Sequence, residues 1–286
     1  MAQPIRVARE QVEAAVAAIH SAGRLLVEAQ PRTGWRLKPD GTFITDLDVR
    51  VQEFLQSRLE RIFPGCALIG EEDPGSFQLA VEARPRMILD PIDGTAAFAR
   101  GLGHYGISLA ILDGRNQPVL AIIHLPSLGR WDVASFENWQ PAWYGVAIDG
   151  DTPRLSVVDR PGSEPAGGNL RDGYIYLSSD AHRQVDLSAY EGKTRALGAT
   201  AAHLALLLDG TIDPLAVVLT RFKLWDVAAG LALAVAAGFA VHDLSAPSAP
   251  MDLVALFQTI EPGPLIVGHP KALALLANQV KLLGGR

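Results

Sequence analysis

A single cysteine, Cys66, in 286 residues leaves no partner for an internal disulfide. It fits a reducing compartment, where a lone thiol serves as a small core residue. Basic charge is also scarce: 25 Lys and Arg against 31 Asp and Glu give a net charge of −6, and no stretch gathers a nucleic-acid footprint. The N-terminal residues show no basic segment followed by an apolar run, and the apolar stretch 231–240 is too short to span a bilayer. These absences predict a cytoplasmic protein that engages neither nucleic acid nor membrane. What is plentiful is core material. At 49% hydrophobic and 20% charged, the chain is built for one large domain or two smaller ones sharing a core, and disorder is excluded.

Residues 87–101, MILDPIDGTAAFARG, stand out. Met87, Ile88 and Leu89 read as the end of a buried strand, and two carboxylates, Asp90 and Asp93, follow at once. Pro91 fixes a backbone angle and lacks an N–H, so the strand is expected to stop there. Gly94 permits close approach of backbone to a ligand, and Thr95 opens a run of helix formers, 96–99. Carboxylates attract Mg²⁺ or a similar hard cation, and free N–H groups at a helix start attract phosphate oxygens; together they can hold a phosphate ester against a metal. The same residues also suit a plain capped turn, so the rest of the chain has to decide.

Ala8, Val12, Ala15, Ile19, Ala22 and Leu26 recur at helical spacing and predict a first helix ending before Gln30-Pro31. A loop, LKPDGTFITDLD, leads to a second helix marked by Val51, Phe54, Leu55, Leu59 and Ile62 and stopped by Pro64-Gly65. Asp46 is expected to cap that helix; Asp48 is open to a second role. A short strand, 66–69, then delivers Gly70, Glu71, Glu72 and Asp73. If this strand lies beside the one ending at Asp90, the two acidic sets meet, and such charge density calls for a cation.

Four antiparallel strands are expected at 107–112, 119–124, 130–136 and 143–148. His104 and His124 lie near no nucleophile-like Ser or Cys motif and are read as structural. A Pro- and Gly-rich stretch, 159–172, predicts the boundary between lobes spanning 1–158 and 159–286. The second lobe alternates strands at 174–177, 215–219, 239–241 and 265–267 with helices at 200–208 and 225–237. A last helix is expected from Pro270 through Leu283. Asp226 stands at a helix start just after a strand.

Gly-Glu-Glu at 70–72, Leu-Asp-Pro-Ile-Asp-Gly-Thr at 89–95 and Trp-Asp-Val-Ala-Ala-Gly at 225–230, in that order and spacing, resemble the inositol monophosphatase family of Mg²⁺-dependent, typically lithium-sensitive phosphatases. Thr45, Asp48, Phe98, Gly101 and Gly198 extend the resemblance. It implies an α/β fold, a layered αβαβα sandwich of two lobes with the active site at their junction, and a homodimer. It also implies two or three Mg²⁺ ions: a first held by Glu71, Asp90 and the Ile92 carbonyl, a second by Asp90, Asp93 and Asp226, and a weaker third reached from Glu71 through water. By the same resemblance Asp48 and Thr95 order the nucleophilic water, and Glu71 shares in its activation. Ile92, Asp93, Gly94, Thr95 and Asp226 line the substrate, with Gly94 and Thr95 offering N–H groups to the phosphate.

Departures from the family pattern bear on substrate. Ala96 and Ala97 replace a hydroxyl residue and an Asn. Leu219 stands where enzymes that hold inositol hydroxyls carry an acid, and Arg221 and Lys223 follow it. Those cations are either solvated or bind a second phosphate or a carboxylate. The expected activity is hydrolysis of a small phosphorylated metabolite, with inositol monophosphate or a related sugar phosphate first. The alternatives are 3′(2′),5′-bisphosphate nucleotidase, fructose-1,6-bisphosphatase and histidinol-phosphatase activity, and, from a different class, an interaction protein that retains the fold.

Overall fold

A computed structural model describes residues 7–30, 34–73, 85–127, 142–147, 155–158, 173–208, 214–246 and 250–283, with 142–147 and 155–158 described as backbone only. The strand expected at 130–136 and the lobe boundary at 159–172 lie outside these residues. In chain order the helices are α1 (Arg9–Ala29), α2 (Asp46–Ile62), α3 (Thr95–Ala99), α4 (Thr200–Leu208), α5 (Leu224–Ala236), α6 (Leu253–Leu256) and α7 (Pro270–Leu276). Among the described residues no helix is long and apolar enough to cross a membrane.

Strands β3 (Ala67–Gly70), β4 (Arg86–Asp93), β5 (Gly106–Leu112), β6 (Pro118–His124), β7 (Ala142–Ala147) and β8 (Leu155–Val158) form one sheet in that order. β3 and β4 are parallel, and the remaining pairs are antiparallel. A second sheet has the order β11 (Lys193–Arg195), β9 (Tyr174–Leu177), β12 (Ala216–Leu219), β14 (Leu265–Gly268) and β13 (Ala240–Asp243).

Alternation along the strands assigns each layer. In β4, Met87 and Leu89 face the core under α1 and α2, where Val12, Ala15, Ile19, Leu26, Leu55 and Leu59 are buried. Ile88 points the other way, into a core that includes Ala201, Leu204, Leu231 and Val217. In β12, Val217 and Leu219 face that middle core, while Ala216 and Val218 face outward onto Leu273 and Leu276 of α7. A residue period of two on both sheets thus gives helix, sheet, helix, sheet and helix layers. The helices α4 and α5 are apolar nearly all round because a sheet covers each side. Truncating one of their Leu residues to Ala would cost about 2–5 kcal/mol.

Two expectations are corrected. β4 does not stop at Pro91 but runs on to Asp93. The last rung to β3 is Gly70–Leu89, so Pro91 lies beyond that neighbour, and a one-residue register shift against β5 between Asp90 and Asp93 absorbs its missing donor. The last helix ends at Leu276, not Leu283, because Lys281–Leu282 (β15) pairs with Val185–Asp186 (β10), a non-local contact that local pattern does not encode. A hairpin of two three-residue strands, β1 (Trp35–Leu37) and β2 (Phe43–Thr45), also forms from the loop ahead of α2.

Candidate active site

Because β3 and β4 run parallel, their C-terminal ends bring Glu71 beside Asp90. The Glu71 N–H bonds the Leu89 carbonyl at 3.2 Å and holds the two ends in step. Asp226 arrives on the first turn of α5, where its Oδ2 accepts from the Lys223 N–H at 2.7 Å. Ser108 Oγ on β5 donates to the Trp225 carbonyl at 3.2 Å and ties that turn to the first sheet. Asp90, Asp93 and Asp226 then present one carboxylate oxygen each, all within 4.8 Å of one another. Asp90 is also within hydrogen-bonding reach of Glu71.

Burial is the first cause that raises the carboxyl pKa throughout this cluster; the neighbouring acids add to it at Glu71, Asp90 and Asp93, whereas at Asp226 the bonds from Lys223 and Asp90 oppose it. Glu71 is pushed up to about 7 and Asp226 to about 6, and Asp90 and Asp93 are raised as well. Four acids in one poorly hydrated place hold their negative charge only against a cation. The donors, carboxylate oxygens with the Ile92 carbonyl beside them, are hard oxygen ligands of the kind Mg²⁺ takes.

Gly94 makes the turn after β4 with φ 83°, a conformation that a side chain resists. A Cβ there would stand 2.7 Å from the Ala199 Cβ and 3.0 Å from the His104 carbonyl. The start of α3 follows, whose first N–H groups have no intrahelical acceptor. Thr95 Oγ1 lies 2.9 Å from Asp48 Oδ1 and 2.9 Å from the Ile92 carbonyl. Asp48 is fully buried at the third position of α2, where Oδ2 accepts from the Thr45 N–H at 2.7 Å and the Thr45 hydroxyl at 2.6 Å. Burial raises its pKa, and those donors oppose the rise. Asp46, in contrast, faces solvent and pairs with Arg36.

The cleft around these groups is about 500 Å³ and is also lined by Lys38, Arg221, Lys223, Trp225 and Ile260. All the site residues expected from sequence lie in or against this one space. Lys38 was not among them. It sits in the β1–β2 turn with Nζ at 2.8 Å from Glu71 Oε1 and 2.9 Å from Glu72 Oε1. Burial works against its charge, yet the two glutamates keep its ammonium protonated well above the usual lysine range. Only the KPDG turn signal marked that loop, and it says nothing about where the amine reaches. His124 packs against His20, with ring centroids 4.7 Å apart, and neither His104 nor His124 lines the cleft. Burial pushes the Cys66 thiol up to about 11, as suits an unreactive residue.

A five-layer sandwich with clustered carboxylates at strand and helix ends, beside open backbone donors, defines a phosphatase of the metal-dependent class. The sequence profile of the inositol monophosphatase family matches residues 6–281, and the chain belongs to that family. It is an enzyme, a hydrolase of phosphate monoesters. Among its relatives, the 3′(2′),5′-bisphosphate nucleotidase CysQ of Escherichia coli (strain K12) is 25% identical over 235 residues, covering 79% of this chain and 85% of that one. The fructose-1,6-bisphosphatase/inositol-1-monophosphatase of Thermotoga maritima is 27% identical over 206 residues, covering 72% and 73%. A staphylococcal IMPase-I solved with products superposes with a TM-score of 0.72 at 19% identity over 98% of this chain and 100% of that one, a likeness of fold.

Proposed function

We propose that the chain hydrolyses a phosphate ester of a small metabolite by direct attack of water. Mg²⁺ would be held by Glu71, Asp90, Asp93, Asp226 and the Ile92 carbonyl as two ions, with a third reached from Glu71 through water. The observation that carries this reading is the convergence of those four acids from two strands and one helix of different lobes. Bound Mg²⁺ lowers the pKa of a coordinated water and offsets charge on the phosphate.

The chain's own groups do the aligning. Thr95 Oγ1 has one proton and two acceptors at 2.9 Å. Given to Asp48, that proton leaves the hydroxyl lone pairs free to accept from a water and fix its orientation. The two bonds from Thr45 favour the charged carboxylate that this needs. Glu71, beside the same metal cluster, shares in activating that water as an acceptor for its proton. Gly94 and Thr95 bring N–H groups to the phosphate oxygens.

An inositol or related sugar monophosphate is the substrate that the family pattern around one phosphate supports. One observation favours the bisphosphate reading, whether nucleotide or fructose. Leu219 is fully buried and offers nothing to a hydroxyl, whereas Arg221 and Lys223 line the cleft. The retained acids argue against a chain kept only for interaction. A homodimer of two-lobed protomers, 1–158 and 159–286, working in the cytoplasm completes the proposal, with light scattering on the purified chain as the check on assembly. Phosphate release from a panel of inositol, fructose, histidinol and adenosine phosphates tests the chemistry. The expected result is release with Mg²⁺ and none with a chelator; no release from any ester, or release indifferent to the chelator, overturns it.

A further inference from the structure

Helix α4 is apolar over its length except at Thr200 and His203, and His203 is buried to 1% exposure with its ring stacked on Tyr176 of β9, the centroids 5.1 Å apart. A polar ring in such a place needs a partner. It finds one in the chain ahead of the helix: Nε2 accepts from the Leu197 N–H at 2.8 Å, six residues back. An accepting Nε2 leaves the proton on Nδ1, which meets no partner among the described residues. Burial, with His104 nearby, depresses the pKa of the ring to about 4 and keeps it neutral, the form that can accept. Among the described residues the polar task of this imidazole is therefore the bond to Leu197.

That bond closes a turn at the edge of the cleft. Between Leu197 and α4 lie Gly198, which lines the cleft at φ 83° and has no side chain to hold the turn, and Ala199, which packs where a Cβ on Gly94 would stand. The Ala199 carbonyl accepts from the His203 N–H at 3.2 Å, so His203 grips the turn through its backbone and its ring at once. The next two N–H groups, of Thr200 and Ala201, hold the two oxygens of Asp93 at 3.1 and 2.7 Å. A carboxylate held at both oxygens takes its orientation from its donors, and the turn decides where those donors stand.

We propose that His203 is a positioning residue for the metal centre: its Nε2 fixes the turn at 197–199, and the helix start so placed holds the Asp93 carboxylate in the orientation a divalent ion requires. His203 does not line the cleft and acts through Leu197 and the N–H groups of Thr200 and Ala201. This rests on the metal-dependent reading above, in which Asp93 is a ligand.

The test is Mn²⁺ binding to the full chain, measured by titration calorimetry with no substrate present. His203→Phe keeps an aromatic ring over Tyr176 but has no acceptor, and His203→Leu fills the space with neither. His203→Gln loses the ring yet carries Oε1 as many bonds from the backbone as Nε2, so it accepts from Leu197 again. The dissociation constant is expected to rise about tenfold in His203→Phe and His203→Leu and to stay within about threefold of the parent's in His203→Gln. Thermal unfolding in chelator checks each variant, and if His203→Phe does not fold, His203→Leu carries the comparison. A parent that binds Mn²⁺ while both acceptor-free variants bind it within about threefold overturns this inference alone. So does a His203→Gln as weak as those two, because packing of the ring would then be the cause. A parent that takes up no Mn²⁺ overturns the metal-dependent reading with it.

Discussion

Asp93 Oδ2 accepts a 2.7 Å hydrogen bond from the backbone N–H of Ala201, 108 residues further along the chain, and its Oδ1 accepts one of 3.1 Å from Thr200. The start of α4 thus positions an acid at the end of β4. Assembly of the site and packing of α4 against the end of β4 are one event.

The contact that lets α4 approach is Gly94 against Ala199. Gly94→Ala adds a Cβ 2.7 Å from the Ala199 Cβ at φ 83°, so both clash and strain oppose it. The expected loss is about 2–4 kcal/mol by thermal or denaturant unfolding. Gly238→Ala is the control: φ is 87° but nothing lies within 4 Å, so it costs only about 1 kcal/mol of backbone strain. Equal losses in the two variants would remove the close approach from the account.

Asp226→Asn keeps an oxygen for the Lys223 N–H while deleting one charge from the cluster. Turnover should fall by about 10³-fold or more, with the metal-free melting temperature unchanged or raised. Near-normal turnover would show that this carboxylate is not needed.

Thr95→Ala leaves Asp48 Oδ1 without its donor and the water without its acceptor. A fall in kcat of about 10²-fold is expected, whereas Thr95→Ser, which keeps the hydroxyl, should stay within about fivefold of the parent. Equal kcat values for the two variants would contradict the water-orienting role.

The raised acids set a pH dependence. In the folded, metal-free chain Glu71 and Asp226 hold protons up to about 7 and about 6, which the unfolded chain releases near its ordinary 4.5 and 3.8. A raised carboxyl pKa favours the folded state only while the proton stays on, so stability falls as pH rises through that window. His203 runs the other way: burial depresses its pKa to about 4, and its contribution is lost as pH drops from 6.5. Burial lowers the His20 pKa as well, so two histidines are set against five raised carboxyls, Asp48 being the fifth. With chelator present, the melting temperature should therefore decline from about pH 5 to about pH 7.5, and Mg²⁺ should raise it more at the upper value, by about 5 °C. A rise with pH in chelator would contradict this.

What could be read from sequence was whatever depends on local spacing. The α1 face, from Val12 to Leu26, follows from helical periodicity, and Glu71, Asp90, Asp93 and Asp226 sit in motifs whose neighbours define strand and helix ends. The residues missed depend on partners far along the chain. Pro91 continues a strand because β3 has already ended beside it, and Leu282 leaves the helical pattern because Val185 pairs with it. Lys38 reaches Glu71 only once the β1–β2 hairpin folds over the cleft, and no local signal sets Arg221 at φ 45°.

Soaking crystals in Mn²⁺ and mapping its anomalous scattering asks the central question most directly. The account predicts density enclosed by Glu71, Asp90, Asp93 and Asp226, lost from the Asp226 side in Asp226→Asn. Crystals that take up Mn²⁺ elsewhere and leave that cleft without density would contradict it.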